Sequence, residues 1–276
     1  MPDSQMAVVV SGATGFIGSH VVDQLQKIDC KVIVPVRNIE LAKQQEFLKD
    51  AELVHVNNLI EIGKIKGDNF IHCAWGDVGD VCSSNHLEIY LPEHYYLLKK
   101  IIQDKQYKKI IVLGTCFEYG KQYGPMRAST ETKPNTPYAK AKDQLHLRLR
   151  ALKEVEDIDL IWARIFYTYG PRQPSKALIA QFDNALECKE KVFNMSLGEQ
   201  LLDYLPVEIV AKNIIDLLYA RDGVYNICSG TPKSVRRLLE ERMISKNQFI
   251  KLNLGYFPYR ADDSIAIWGD TASSNE

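Results

Sequence analysis

In the stretch "TPYAKAK", residues 136–142, Tyr138 and Lys142 stand four positions apart. On a helix that spacing puts both side chains on one face. A tyrosine hydroxyl can exchange a proton with an oxygen whose charge changes during a reaction, and a nearby ammonium eases the exchange by favouring the phenolate. Hydride transfer to a ketone is chemistry of that kind. The pair is common, so its meaning depends on what surrounds it. Thr115 closes the apolar run "KKIIVLGT", 108–115. It offers a third hydroxyl at the C-terminal end of a strand, where ligands of open α/β sheets collect. A capping threonine is the alternative. Pro137 has the fixed φ that suits the first turn of a helix, which would set Tyr138 at a pocket mouth.

A cofactor cradle stands near the start of the chain. "VVVSGATGFIGSH" spaces Gly12, Gly15 and Gly18 as GxxGxxG between a short apolar strand, 7–10, and a helix from about Gly15 to Lys27. The first glycine permits a tight turn, the second lets backbone approach a pyrophosphate, and the third lets helix pack on sheet. Free N–H groups at the helix start favour an anion. Gly12, Thr14, Gly15, Phe16, Ile17 and Gly18 are therefore expected to hold a dinucleotide. A second strand, 31–37, ends in "VPVRN", where an NAD enzyme of this layout places an acid for the ribose hydroxyls. Arg37 can instead pair with a 2′-phosphate, with Asn38 adding a hydrogen bond. NADPH is expected, NAD(H) less so.

Further elements must position these groups. Helical character at 42–50, strands at 51–57, 69–75 and 108–115, and a helix over about 88–104 alternate along the chain. A Gly/Pro/Thr-rich loop, 120–137, leads to a helix from Tyr138 to Val155 and a sixth strand at 159–170. Such alternation is the pattern of a parallel sheet covered on both faces. Beyond it come a helix near 175–189, a strand in "KVFNMS", an amphipathic helix at 206–220, a strand in "GVYNICSG", and a helix opened by Ser234. The expected fold is α/β, a Rossmann-type doubly wound parallel sheet with a small C-terminal lobe. Residues 5–168 and 206–222 would form the dinucleotide domain, and 169–205 with 223–270 the lobe. The tail 270–276 has little to pack.

A formal net charge of -1 removes bulk attraction to nucleic acid, and the basic run "KKIIQDKQYKK", 99–109, reads as a solvated helix face. No apolar run reaches membrane-spanning length, and "MAVVVSGATGFIG" does not read as a signal peptide. The six cysteines form no CxxC pair. Reduced thiols in the cytoplasm are expected, with no metal site.

The motifs "GATGFIG", "FIHCAW", "GTCFEYG", "TPYAKAK", "RIFYTYGPRQ" and "YNICSG" cover nearly the whole chain. Together they resemble the extended short-chain dehydrogenase/reductase family, its NAD-dependent epimerase/dehydratase group acting on nucleotide-sugars. The resemblance implies Tyr138 as acid/base, Lys142 as its partner and holder of the nicotinamide ribose, and Thr115 as the third catalytic hydroxyl. It implies Cys73, Ala74 and Trp75 beside the cofactor. Trp75, Thr115, Cys116, Phe117 and Tyr138 would meet a nucleoside-diphosphate sugar, and Arg172 and Arg260 are candidates for its diphosphate. Relatives often pair as homodimers through helices here at about 88–104 and 138–155. "GTCFEYG" looks most like the 4-ketoreductases of the CDP-abequose and CDP-paratose synthase type.

Departures sort the subclass. The family's 4,6-dehydratases follow the threonine with Asp-Glu; here Cys116 and Phe117 follow, which argues against dehydration, and Glu118 lies one position off. Tyr90 stands where the family often has asparagine, and Leu202 where relatives have an arginine. His72 reads as a packed strand residue rather than a catalyst. The expectation is an NADPH-dependent reductase of a nucleoside-diphospho-4-keto-6-deoxy sugar. An NAD-dependent 4-epimerase and a non-catalytic dinucleotide-binding protein remain as alternatives.

Overall fold

The computed structural model describes residues 5–260 and 263–271. The chain runs through β1 (Met6–Ser11), α1 (Phe16–Leu25), β2 (Cys30–Val36), α2 (Ile39–Lys43), β3 (Glu52–His55), β4 (Asn69–His72), α3 (Leu91–Gln103), β5 (Lys109–Thr115), β6 (Gly124–Met126), α4 (Pro137–Glu156), β7 (Asp159–Ile165) and β8 (Tyr167–Tyr169). It continues through α5 (Leu178–Glu187), β9 (Val192–Asn194), β10 (Leu201–Leu202), β11 (Tyr204–Pro206), α6 (Val207–Asp216), β12 (Gly223–Ile227), β13 (Lys233–Ser234), α7 (Val235–Lys246), β14 (Lys251–Asn253) and β15 (Ala266–Gly269).

Seven strands pair in the order β12-β7-β5-β4-β1-β2-β3, all parallel. Side chains alternate across a strand, and both faces are buried. Val8 and Val10 of β1 join one core cluster while Val9 joins the other. Ile111 and Leu113 of β5 part from Ile110 and Val112 in the same way. Helices α1 and α6 pack together, as do α3 and α4. The order reverses between β1 and β4, and crevices form at the C-terminal edge of such a switch point. Gly12, Cys73 and Thr115 all stand at that edge.

The structure revises several expectations from sequence. Residues 223–227, assigned to the lobe, form β12 and pair with β7 at the edge of the main sheet. The single strand expected over 159–170 breaks at Phe166. Its N–H turns to the Ile227 carbonyl, and β8 leaves to pair with β11. The helix expected from Glu88 opens as a π-helical turn, His86–Tyr90, before α3. Lys109 is not part of a solvated face. It is buried, pairs with Asp159 at 3.2 Å, and donates to the Leu218 carbonyl at 3.0 Å. Residues 272–276 of the tail lie outside the described residues.

The remaining strands form β13-β10-β15-β6, β11-β8 and β14-β9. Asp203, between β10 and β11, stitches the first of these to the loop after β12. Its fully buried carboxylate accepts from the Ser229 N–H and hydroxyl, both at 2.7 Å, from the Gly230 N–H at 2.9 Å and from the Gly269 N–H at 3.2 Å. Removing it strands the buried Gly269 N–H and three part-buried donors, a loss worth about 3 kcal/mol. Asp203→Ala is expected to lower the unfolding free energy in urea by about that much. A change within about 0.5 kcal/mol, as for an ordinary surface substitution, would contradict this role.

Candidate active site

The end of β5 carries the site because a short turn locks it. Thr115 caps the 3-10 turn Cys116–Tyr119: its Oγ1 accepts from the Phe117 N–H at 3.3 Å, and Glu118 Oε1 accepts from the Thr115 N–H at 2.8 Å. The capping reading of Thr115 holds, and the same hydroxyl hydrogen-bonds the Tyr138 phenol. Tyr138 arrives from α4, whose first residue is Pro137 and whose cap is Thr136, accepting from the Ala139 N–H at 3.2 Å. The Tyr138 N–H, unpaired within the helix, donates to the Val81 carbonyl at 3.1 Å. Around the phenol stand Phe117, His86 and Trp75, with ring centroids at 6.2, 5.1 and 6.4 Å.

Lys142 follows one turn later, 3% exposed. Its Nζ donates to the Leu113 carbonyl at 2.9 Å and sits 3.9 Å from the centroid of the Trp75 ring. Burial pushes its pKa down to about 7, against the pull of Glu118 and Cys73. Burial raises the Tyr138 pKa, and the hydrogen bond from Thr115 opposes that rise. Burial thus keeps the Tyr138 phenol protonated, and the Lys142 amine one turn on titrates near neutrality.

The glycine turn has the shape a dinucleotide needs. Gly12 has φ +70°, and a Cβ there would stand 2.5 Å from the Ala74 nitrogen; one on Gly18 would collide with the Gly12 carbonyl. Thr14 and Gly15 are exposed at the mouth, with Phe16 and Ile17 half-buried behind them. No side chain caps α1, and its first turn holds no acid. Its first N–H groups are left for an anion, so the donor set fits a pyrophosphate. Cys73 and Ala74 supply the backbone against which Gly12 rests. Arg37 is exposed just past β2. Asn38 is committed elsewhere: its Oδ1 caps α2, accepting from the Leu41 N–H at 3.0 Å.

Past Phe117 and Thr136 opens a cavity of about 240 Å³ that Asp80, Cys116, Tyr167 and Arg260 also line. Of the two diphosphate candidates, only Arg260 reaches it. Arg172 turns away to pair with Asp23 of α1 and stack 4.6 Å from the Phe47 ring. Burial raises the Cys116 thiol pKa, with Glu118 adding to the effect, so that thiol is not poised as a base. Glu118 is spent on Thr115, on Trp162 and on Arg164, whose Nε stands 2.7 Å away. Tyr90 gives its hydroxyl to Asp77, and Leu202 is buried in β10. His72 is a packed strand residue: its Nδ1 meets Ser11 Oγ and its Nε2 meets His94 Nδ1, each at 2.7 Å. Sequence reasoning missed the loop 79–82, His86 and Tyr167, which converge only through tertiary contacts and leave no local pattern.

Residues 8–228 match the family model described as the NAD dependent epimerase/dehydratase family. Over 273 residues the chain is 29% identical to dTDP-6-deoxy-L-talose 4-dehydrogenase (NAD(+)) of Aggregatibacter actinomycetemcomitans, covering 96% of this chain and 99% of that one. Among solved structures it resembles the UDP-N-acetylglucosamine 4-epimerase of Methanobrevibacter ruminantium, in complex with UDP-N-acetylmuramic acid. That match has a TM-score of 0.82 and 26% identity over 96% of this chain and 89% of that one. It shares its fold with the UDP-glucose 4-epimerase of Thermus thermophilus in complex with NAD, with a TM-score of 0.79 at 20% identity over 97% and 91% of the two chains.

A buried amine whose folded pKa falls below its unfolded value of about 10.4 weakens the fold at low pH. The penalty is full below about pH 7 and fades as pH rises toward the unfolded pKa. Lys142→Met is therefore expected to be more stable than the parent at pH 6, by on the order of 4 kcal/mol at most. The gap should shrink by pH 9. Urea unfolding at the two pH values checks this; a pH-independent difference, or a less stable variant at pH 6, would contradict it.

Proposed function

The chain belongs to the NAD-dependent epimerase/dehydratase family, and from that premise we propose that it is a nicotinamide-dependent reductase of the 4-keto group of a nucleoside-diphospho-4-keto-6-deoxy sugar. One observation carries the choice. Thr115, Tyr138 and Lys142 are all buried, with Thr115 hydrogen-bonded to the Tyr138 phenol, while the carboxylate of that turn, Glu118, is locked under Arg164. The site can manage charge on a carbonyl oxygen, and the acid beside Thr115 is held by hydrogen bonds rather than free to drive loss of water. The similarity to a 4-dehydrogenase of a dTDP-6-deoxy sugar supports the same choice, because dehydrogenation and ketone reduction are one hydride transfer run in opposite directions.

The dinucleotide, when bound along the glycine turn, supplies the hydride. Thr115 and Tyr138 together hold the ketone oxygen at the end of β5. As negative charge develops there, Tyr138 gives up its phenolic proton, and the Lys142 ammonium stabilises the phenolate left behind. Arg260 faces the cavity where a diphosphate would bring its charge. Ketone, hydride and one proton give the alcohol, and solvent restores the proton to Tyr138.

Arg37 supports NADPH, because it is an exposed cation at the end of β2 with no acid in its place. The NAD(+) in the relative's name and the NAD in the fold neighbour support NAD(H). The epimerase fold neighbours favour a second reading, an NAD-dependent 4-epimerase with the same three residues. Pairing of two copies through α3 and α4 accords with Tyr96 and Leu147 standing exposed on those helices. Six unpaired cysteines accord with a reducing, cytoplasmic location. No helix among the described residues is long and apolar enough to cross a membrane.

The test mixes the protein with NADPH or NADH and a panel of CDP-, dTDP- and GDP-4-keto-6-deoxy sugars, following cofactor absorbance. Net oxidation with at least one sugar is expected, and Tyr138→Phe should lower kcat by about a hundredfold or more. Isomerisation without net oxidation would favour the epimerase. Arg37→Asp should move the preference from NADPH toward NADH; an unchanged ratio would overturn the reading of Arg37.

A further inference from the structure

The loop between β4 and α3 reaches into both halves of the site. From it Gly79, Asp80, Val81 and Cys82 wall the cavity, and two groups hold its carbonyls. The Tyr138 N–H holds Val81, and His86 Nε2 stands 2.9 Å from the Asp80 carbonyl. His86 is fully buried and opens the π-helical turn before α3, a distortion that recurs at functional sites. Its other ring nitrogen, Nδ1, lies 3.1 Å from Trp75 Nε1. An indole N–H can only donate, so Nδ1 accepts, and Nε2 carries the proton given to Asp80. The partners alone dictate the tautomer.

Trp75 in turn lies against the working charge. Its ring lies 3.9 Å from Lys142 Nζ and stacks on His94 at 4.6 Å. Attraction between an ammonium and an aromatic ring depends on the ring face staying beneath the charge. Stacking fixes the plane of the indole. The hydrogen bond to His86 fixes its rotation within that plane.

We propose that His86 is a positioning residue: it holds the Trp75 indole against the Lys142 ammonium and, through the Asp80 carbonyl, couples that indole to the loop that walls the substrate cavity. The proposal rests on Tyr138 and Lys142 being the reaction centre. A nucleoside diphosphate entering the cavity and displacing the 79–82 loop shifts His86, and with it the ring face offered to Lys142. Occupancy of the substrate side is thereby felt at the amine that supports the acid.

Nitrogen-15 NMR of the intact protein reads the linkage without any turnover. The chain has three tryptophans, and Trp75→Phe identifies the Trp75 indole signal. In the parent, His86 must show the Nε2–H tautomer; an Nδ1–H tautomer overturns the proposal with no variant needed. His86→Phe should displace the Trp75 indole signal, and His86→Gln, which keeps an acceptor and a donor, should restore it. An unmoved signal in His86→Phe overturns the proposal. In turnover, His86→Phe and Trp75→Leu should each lower kcat about tenfold, as expected for one lost contact to a desolvated ammonium. The double variant should lose no more than either alone, because His86 acts through Trp75. Losses that multiply overturn the coupling. If no nucleotide-sugar is reduced but the NMR results hold, the latch stands and the reductase reading falls.

Discussion

The site depends on a carboxylate buried under the end of β5. Glu118 is fully buried and accepts from the Thr115 N–H, the Trp162 indole and the Arg164 guanidinium. Burial pushes its pKa up and Arg164 opposes that push. Arg164 also reaches the Tyr119 hydroxyl at 3.1 Å and the Ala128 carbonyl at 2.9 Å, and Tyr119 reaches Asn226 of β12 at 2.7 Å. Breaking one member of such a network leaves others buried and unpaired. Gly114 is part of the same constraint, because a Cβ there would run into the Trp162 indole and stand 2.6 Å from Glu118 Oε1. The turn that aims Thr115 at Tyr138 exists because β5, β7 and β12 are pinned together behind it.

In front of that network the protein tolerates a cost. Lys142 sits where its charge is poorly solvated, held by one carbonyl and one aromatic ring. A hydrophobic residue would fit the fold better. Functional sites commonly give up stability for a group held near its own titration point. The same edge explains the crowding of aromatic rings: Trp75, His86 and Phe117 surround the Tyr138 phenol, whose burial keeps its proton in place.

Much of this was legible in the sequence. The glycine spacing, the Tyr138–Lys142 interval and the apolar strand ending in Thr115 are local patterns, and the structure brings them to one edge of one sheet. What failed to show was long-range. Arg172 looked free for a diphosphate because its partner, Asp23, lies far away in the chain. Glu118 looked misplaced for catalysis, and only the folded neighbours Trp162 and Arg164 show what it does. The strand at 223–227 looked like lobe because nothing local says that it returns to β7. His86 carried no motif at all; its meaning comes from a tryptophan and a carbonyl on either side.

The central claim is that Thr115, Tyr138 and Lys142 serve a net hydride transfer to a sugar ketone. A dinucleotide carrying deuterium at its transferable position tests it most directly, with the product examined by NMR. The account predicts one deuterium at C4 of the sugar for each dinucleotide oxidised. A product without the label, formed while the dinucleotide is left unconsumed, would contradict it.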